Sequence, residues 1–444
     1  MKLEAKGGTL QSMRGLCGCA VALIGLALIA RHAQWLDDFN LFVPTVWAQC
    51  LVYALSAFLL LQRWPSAGDG RILLAVILCV AVILRLIAFA TPPNFLSTDV
   101  YRYVWDGKVQ GAGINPYLYI PSDPAVASLR DDAIYPHINR LYSAPTIYPP
   151  FAQMAFFAIT RLAESVNSMR LAMLGFEAIA VLALAVLLKR QRLPVHRLAL
   201  YLWHPLPIWE FACGAHVDAV VLAMSLLAII AAMSNRRSLS GALLAAAALT
   251  KFLPVAIAPA LYRRWDWRMP AAFLVVVVCS YALYLSAGWK VLGFLESYAA
   301  EEGMTQGQGV FIAMLLQDIG LAPLPALLGF AAIASAVLGT MVIRALSRNR
   351  DMEAMPALAG GLAIATLVLI SPHYSWYFCW LVPFICFLPR ASLICLTSTV
   401  FYLYLTDEPF SLLTDLLIYA PALALFVFEQ RRFFVPLLQQ GSIP

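Results

Sequence analysis

Charged residues are scarce in this chain. Of its 444 residues, 62% are hydrophobic and 12% are Asp, Glu, Lys or Arg, whereas soluble domains are about 25% charged. So few ionisable groups cannot cover a water-facing surface, which excludes a soluble globular protein. The long unbroken apolar runs also exclude a membrane β-barrel, because barrel strands alternate polar and apolar residues. The composition predicts a polytopic α-helical membrane protein.

Several other patterns are missing. The nine cysteines show no zinc-ligand spacing and nearly all lie in apolar runs, so we interpret them as small hydrophobic residues. No small-residue cleavage site follows the N-terminal apolar run, which therefore reads as a retained first span. There is no tandem repeat and no low-complexity linker, which predicts one membrane domain over residues 1–444. The net charge of +6 indicates cytoplasmic loops more than a nucleic-acid partner.

What the chain does have is a series of apolar runs of about twenty residues, the length that crosses a bilayer. Charged residues, proline or glycine bound each run. The runs predict about twelve transmembrane spans: 15–31, 42–62, 72–91, 169–188, 197–214, 217–234, 270–287, 321–344, 356–372, 377–389, 391–406 and 411–428.

The basic residues support this order of spans. With the N-terminus in the cytoplasm, twenty Lys and Arg fall in cytoplasmic segments and eight in outer segments. Arg85 and Lys251 lie within apolar sequence. Because cytoplasmic loops of membrane proteins are enriched in positive residues, this bias predicts that both termini are cytoplasmic.

The same charge argument gives two segments an unusual path. If segment 148–164 crossed the membrane, the basic cluster 189–197 would lie outside, so we expect a helix that lies along the outer interface or re-enters. Segment 240–268 is basic at both ends, and Pro254 interrupts it near Lys251. We expect two half-helices that meet there and keep both ends inside. One tilted helix, with the Lys251 ammonium reaching the interface, is the alternative.

On this topology the polar residues collect on the outer side. The longest hydrophilic segment is the outer loop 92–147. Ionisable groups at the ends of membrane helices are functional candidates, because such groups are costly to leave in lipid. The candidates are Asp99, Arg102, Tyr103, Trp105, Asp106, Asn115 and Tyr117 in that loop, and Glu210, His216, Asp218, His373, Trp376 and Tyr377 in later outer turns.

Each candidate also has a purely structural interpretation. Asp99 could cap the helix that follows it. Asp106 could be a solvated residue or the ion-pair partner of Arg102, four positions earlier. His216 and Asp218 could cap the next span. Two further structural roles remain open: an interfacial aromatic belt around His373, and burial of Glu177 in protonated form or paired with Arg85.

Five segments of the sequence form a specific series: STDVYRYVWDGKVQGAGINPYLYIPSDP, YPPFAQMAFF, GAHVDAVVLA, ALTKFLPVAIAPAL and SPHYSWYFCWLVPF. In this order they resemble the GT-C superfamily of integral-membrane glycosyltransferases. The narrower likeness is to polyprenol-phosphate-mannose-dependent mannosyltransferases, glycosyltransferase family 87 and the PIG-M type. It extends from the third span to about residue 385, and each motif alone is weak.

The resemblance implies an enzyme that moves a hexose, with mannose favoured, from a polyprenyl-phosphate donor to a glycan or lipid-linked acceptor. Transfer would invert the anomeric carbon at the outer face of a bacterial inner membrane. An Asp in the first large outer loop serves such enzymes as general base. Asp99 matches that position best, with Asp106 as second candidate. Many relatives carry paired acids there, whereas Thr98 precedes Asp99 here, so we expect no cofactor and favour a metal-independent reaction.

This reaction assigns a role to each candidate. Arg102, Lys251 and His373 are expected to bind the donor phosphate through charge-assisted hydrogen bonds. The expected partners are the donor, the acceptor and membrane lipids, without nucleic acid. The residues expected to contact sugar or acceptor are Tyr103, Trp105, Asn115, Tyr117, Glu210, His216, Asp218, Trp376 and Tyr377.

A transporter or flippase of lipid-linked sugars is the alternative class. It predicts inverted repeats and acidic residues at the membrane midplane. Glu177 and Lys251 fall near mid-membrane, but the sequence shows no repeat, and the large outer loop 92–147 has no counterpart in the second half.

Overall fold

The computed structural model describes residues 2–61, 69–293, 300–347, 352–406 and 410–440. Across these ranges the chain is helical and has no β-strand, as the composition predicted. The α-helices of eight or more residues in these ranges are α1 (Lys2–Trp35), α2 (Phe39–Leu61), α3 (Asp69–Phe89), α4 (Asp99–Gly111), α5 (Pro150–Thr160), α6 (Val166–Arg190), α7 (Asp218–Met233), α8 (Arg237–Ala248), α9 (Arg268–Ala282), α10 (Phe311–Asp318), α11 (Pro323–Ser347), α12 (Met355–Ile370), α13 (Ala391–Thr399) and α14 (Leu412–Gln440).

Six of the described helices are long and apolar enough to cross a membrane: α1, α2, α3, α6, α11 and α14. A seventh span results if α9 and Leu285–Leu292, which are bent by 115° at their junction, count as one. The other predicted spans contain shorter or interrupted helices, so the count of twelve is not confirmed.

Prolines account for one of these interruptions. The predicted span 197–214 forms helical pieces at Ala199–Leu202 and Pro205–Pro207, followed by a π-helix over Ile208–Cys213. Proline cannot donate a backbone hydrogen bond and clashes with the preceding turn. The prediction was right about the apolar length of this segment but not about its broken path, which brings the π-helix beside α3 and α6.

The outer loop 92–147 begins with α4 and continues as turns and short 3₁₀ segments. α4 packs against α5, and Gly107 permits this contact because a Cβ there would lie 2.6 Å from the carbonyl oxygen of Phe156. Helix α5 has 11 residues and is about 16 Å long. This is shorter than the roughly 30 Å hydrocarbon core, so α5 alone does not cross it.

Segment 240–268 is a hairpin and not one tilted helix. Helix α8 ends at Ala248, and the chain turns before it continues as a 3₁₀ segment, Leu253–Ile257. This segment contains Pro254, near which the break was predicted. At the two ends of the hairpin, the Arg237 guanidinium donates to the Leu261 carbonyl oxygen over 3.4 Å. Residues 24 apart in one straight helix would be about 36 Å apart. The two ends of the hairpin therefore lie side by side, with Lys251 at the turn between the two halves.

A buried ion pair joins α3 to α6. The Arg85 guanidinium donates to both carboxylate oxygens of Glu177, over 2.9 and 2.6 Å, and the Tyr201 hydroxyl donates to the same carboxylate. This confirms the paired alternative for Glu177. Both ions are thus compensated inside the helix bundle, where an unpaired charge is costly.

Candidate active site

A cavity of about 230 Å³ opens beside the hairpin turn. Four segments meet around it: the start of α5, the hairpin turn, residues 302–309, and the turn after α12. Its polar lining side chains are Tyr148, Thr250, Lys251, Glu302, His373, Tyr374 and Tyr377.

Asp99, at the first position of α4, lies beside this cavity, where it contacts the lining residue Tyr148. The N-cap is Thr98, whose side chain makes no cap hydrogen bond, so Asp99 is not the cap. The Asp99 carboxylate accepts a hydrogen bond from the Asn139 amide on one oxygen, and from the Tyr148 hydroxyl over 3.2 Å on the other. Its side chain is 14% exposed. A carboxylate with neutral partners and an open edge is able to accept a proton.

Asp106 lies in a different environment, deeper in the same helix. Its carboxylate accepts hydrogen bonds from the Arg102 guanidinium over 2.8 Å and from the Gln153 amide over 2.9 Å. The remaining nitrogens of Arg102 lie 3.3 Å from the Ala144 carbonyl oxygen. Both ions are buried, and neither lines the cavity. The ion-pair alternative for Asp106 is therefore confirmed.

Lys251 brings a cation to the cavity. Its ammonium donates to the Asp218 carboxylate over 2.6 Å and lies 4.2 Å from the centre of the Tyr377 ring. The Trp380 indole N–H donates to the second Asp218 oxygen over 3.2 Å. Asp218 is fully buried at the start of α7, with Val217 as the N-cap. Asp218 therefore holds Lys251 in position and does not cap α7.

His216 lies fully buried between two carboxylates. Its Nδ1 is 3.9 Å from an Asp99 oxygen, and its Nε2 is 3.3 Å from a Glu210 oxygen. The ring stacks on Trp376 with centroids 4.1 Å apart. Burial, with the positive charge of Lys251, lowers the pKa of His216 well below its usual value. The imidazole is therefore neutral near pH 7.

Glu210, on the π-helix, is also fully buried. Its carboxylate accepts hydrogen bonds from the Ser375 hydroxyl over 2.7 Å and from the Tyr404 hydroxyl over 2.9 Å. It does not reach the cavity surface. π-Helical turns commonly occur at functional sites, and here the wide turn carries an acid directly behind His216.

His373 lines the cavity and packs edge-on against Phe410, with ring centroids 5.0 Å apart. Burial lowers the pKa of its imidazole. Above it, Tyr374 stacks on Trp376 with centroids 4.6 Å apart. The predicted aromatic turn therefore forms one wall of the cavity and a stack that continues to His216.

Four sequence candidates lie elsewhere. Tyr103 is buried between α4 and α5, stacked on Phe156, and Trp105 is buried near Tyr135. Tyr117 is buried and donates to the Tyr148 carbonyl oxygen. Asn115 lines a second cleft, where its amide donates to the Tyr284 carbonyl oxygen and the Ser286 hydroxyl.

Several residues of the site carried no recognised signal in the sequence. Tyr148 belongs to the YPP segment, which contributed to the family resemblance but not to the list of candidate residues, and Asn139 belongs to no motif. Tyr374 and Trp380 lie within the aromatic turn and could have been included with Trp376. Tyr148 and Asn139 hold Asp99 through contacts 49 and 40 residues apart, which no local pattern reveals.

Residues 10–266 match the family model described as alpha-(1→6)-mannopyranosyltransferase, N-terminal domain, of the MptA_B family. The match covers more than half of the chain. The chain belongs to this family of mannosyltransferases. No curated protein and no solved structure matches it.

Family membership confirms the predicted GT-C-type mannosyltransferase, whereas the likeness to family 87 and the PIG-M type stays a prediction. The matched region of the mannosyltransferase contains Asp99, His216 and Lys251 and ends before His373. The cavity thus combines the matched region with later helices. In the described part of the chain, no group of three or more His, Cys, Asp or Glu is arranged to hold a metal ion. Metal independence remains a prediction.

Proposed function

We propose that this mannosyltransferase moves a mannosyl group from a polyprenyl-phosphate donor to a hydroxyl of a glycan or lipid-linked acceptor, with inversion at the anomeric carbon. One observation carries the proposal: a carboxylate with only neutral hydrogen-bond partners, Asp99, lies next to a cavity that is lined by a lysine, Lys251. Tyr148 links the two, because it lines the cavity and donates to Asp99.

Asp99 acts as the general base. As the acceptor oxygen attacks the anomeric carbon, its proton passes to Asp99 and the bond from that carbon to the phosphate oxygen breaks. The bonding electrons leave with the polyprenyl phosphate. Inversion requires acceptor and phosphate on opposite faces of the sugar. We assign the acceptor face to Asp99 and the phosphate face to Lys251 and His373.

Lys251 and His373 bind the donor phosphate. An ammonium has three donors, and Asp218 accepts from only one in this structure, so the others can meet phosphate oxygens. Negative charge that develops on the leaving group is what such a site must stabilise. Arg102 is assigned a structural role instead, since its guanidinium is committed to Asp106 and the Ala144 carbonyl.

The aromatic turn borders the sugar. Tyr374 and Tyr377 line the cavity, and Trp376 stacks directly behind Tyr374. Aromatic faces pack against the apolar C–H surface of a pyranose. Glu210, His216 and Asp218, which are fully buried, act on the substrate through the residues that they contact.

We further propose that the cavity faces the outer side of a bacterial inner membrane, with both termini cytoplasmic and α5 along the outer interface. The hairpin supports this orientation, because its two ends lie together and the basic residues Arg263, Arg264 and Arg268 follow the second end. Basic residues are enriched on the cytoplasmic side. Twelve crossings result if the six long helices, the α9 pair, α7, α12 and the interrupted segments 199–213, 375–385 and 391–404 each cross once.

The test uses the purified full chain in lipid nanodiscs, with polyprenyl-phosphate mannose, an α-mannoside acceptor and EDTA. We expect release of polyprenyl phosphate in equal amount to mannosylated product, and none from Asp99→Asn that remains inserted. Movement of the donor between leaflets of a proteoliposome without release would instead indicate a flippase. Activity that disappears with EDTA would contradict metal independence.

A further inference from the structure

A second cleft, of about 490 Å³, lies where the end of α4, helix α5 and the junction of α9 with the 3₁₀ segment Leu285–Leu292 meet. Its volume falls within the range of roughly 300–1,000 Å³ that is typical of ligand sites. None of the described residues that line it is Asp, Glu, Lys, Arg or His. A phosphate or carboxylate ligand calls for a cationic partner, so the cleft suits an uncharged ligand.

Hydrogen bonds within the lining hold the polar groups of the cleft in place. The Asn115 amide donates to the Tyr284 carbonyl oxygen over 3.0 Å and to the Ser286 hydroxyl over 2.9 Å. The Tyr284 hydroxyl donates to the Gln110 side-chain oxygen over 2.8 Å. Because a hydroxyl both donates and accepts, Ser286 can still donate its proton to a ligand, and the Tyr284 oxygen can still accept one. The cleft thus offers a neutral donor and a neutral acceptor at fixed positions.

Phe157 adds an aromatic surface to this lining. The side chain lies on α5, borders the cleft and is 39% exposed. The Arg161 guanidinium, 5.4 Å from the Phe157 ring centre, is paired with Glu164 and does not line the cleft. Aromatic rings pack against the C–H surface of a sugar, while neutral donors and acceptors bind its hydroxyls. This combination indicates a carbohydrate ligand.

The cleft lies close to the cavity at which we place the reaction. Helix α5 lines both sites, with Pro149 at the cavity and Met154 at the cleft, and five helical residues span about 8 Å. Tyr117 lies between the sites. Its hydroxyl donates to the carbonyl oxygen of Tyr148 over 2.8 Å, and its ring packs edge-on against Tyr284 with centroids 5.3 Å apart. A linear glycan can therefore extend from one site to the other.

The segment Leu285–Leu292 gives the cleft a position relative to the membrane. It is bent by 115° from α9, and its Trp289 side chain is 89% exposed. Tryptophan is enriched at the boundary between lipid and water. The cleft is therefore expected at the level of the lipid headgroups, where the glycan of a lipid-linked acceptor begins.

We propose that this cleft binds the glycan of the acceptor, behind the sugar whose hydroxyl attacks the donor. This inference rests on the proposed transfer to a glycan or lipid-linked acceptor. The cavity of about 230 Å³ has to hold the donor sugar and its phosphate, so a longer acceptor must extend beyond it. Phe157 borders one of the following sugars, Ser286 donates to a sugar hydroxyl, and Tyr284 accepts from one. The ligand class is an uncharged oligosaccharide, here an α-mannoside chain.

Acceptors of different length test the proposal with the full chain in lipid nanodiscs and polyprenyl-phosphate mannose. The measured quantity is kcat/KM for an α-mannoside tetrasaccharide divided by kcat/KM for the monosaccharide, and we expect a wild-type ratio well above one. Phe157→Ala should lower this ratio roughly threefold to tenfold through a higher tetrasaccharide KM, the loss for one aromatic contact. Phe157→Tyr keeps the ring and should preserve the ratio. The matched control is Leu162→Ala, which removes a side chain 88% exposed outside the cleft and should not change the ratio.

Ser286→Trp provides a second test should Phe157→Ala fail to insert. Ser286 is exposed, so an indole there fills the cleft without displacing the core, and the ratio should fall close to one. A wild-type ratio near one, or a ratio that neither variant lowers, would overturn the proposal.

Binding of the tetrasaccharide without donor, measured by saturation-transfer NMR, separates this inference from the proposed function. If the wild type releases no polyprenyl phosphate with any acceptor, the proposed transfer fails. Tetrasaccharide binding that Ser286→Trp abolishes would even then support the cleft as a glycan site, and absence of binding to the wild type would overturn it.

Discussion

Two aspartates of α4 are in opposite situations. At the first position, Asp99 accepts hydrogen bonds from neutral side chains and is 14% exposed. Two turns later, Asp106 is bound to the Arg102 guanidinium and is 2% exposed. Each carboxylate also has an amide partner, Asn139 or Gln153. A cationic partner and burial, not residue type, therefore distinguish the structural acid Asp106 from Asp99, the proposed base.

The largest effect should appear when the same substitution is made at both acids. Asp99→Asn should lower kcat by roughly a hundredfold to ten-thousandfold, the range for removal of a general base. Asp106→Asn should leave the rate per folded molecule nearly unchanged. Release of polyprenyl phosphate, normalised to inserted protein, measures both. Equal losses in the two variants would remove the distinction between the two acids of α4.

Asp106→Asn should act on stability instead. It leaves the buried Arg102 guanidinium without its counter-ion, which costs about 3 kcal/mol. Thermal unfolding in detergent should show a lower Tm for this variant than for Asp99→Asn, whose partners are neutral. Replacing both ions, as in Arg102→Met with Asp106→Leu, serves as the control and should recover part of the loss. A wild-type Tm for Asp106→Asn would contradict the structural role.

Substitutions of the two cations, Lys251 at the cavity and Arg102 in α4, should also have different effects. Lys251→Gln should raise the donor KM at least roughly tenfold, because a charge-assisted hydrogen bond contributes about 1.5–3 kcal/mol. Lys251→Arg keeps the charge and should lose less. Arg102→Gln should change stability and leave the donor KM unaltered. A donor KM that responds to Arg102 and not to Lys251 would place the phosphate on the other side of α4.

The smallest effect is expected for Arg140, which follows Asn139, the residue whose amide donates to Asp99. Arg140 donates to the Glu301 carboxylate over 3.0 Å, which ties the outer loop to the segment that lines the cavity from 302 onward. Partly exposed pairs contribute about 0.2–1 kcal/mol. Arg140→Gln should therefore change kcat by less than about fivefold, and high salt should mask the change in the wild type. A loss as large as that of Asp99→Asn would assign this pair a more direct role.

The sequence predicted the helical class, the loop that carries the site, and the break of the hairpin at Pro254. These features depend on local composition, on charge distribution and on one residue type with a fixed backbone effect. It also identified Asp99 and Lys251 as candidates, since ionisable groups near lipid are rare.

Other features depended on contacts between distant segments. The burial of Trp105 and Tyr117, and the separate cleft at Asn115, follow from how α4, α5 and α9 pack together. The short helices that replaced half of the predicted spans arise from tertiary packing around prolines such as Pro205 and Pro207. Composition alone overestimated their length.

The Lys251–Asp218 pair also has a consequence for biogenesis. Its two members are 33 positions apart, on α7 and on the hairpin that directly follows it. During synthesis, the ammonium meets its carboxylate before any later helix has been made. These two neighbouring elements can therefore enter the bilayer as one electrically neutral unit, without a contribution to the pair from any element that follows the hairpin.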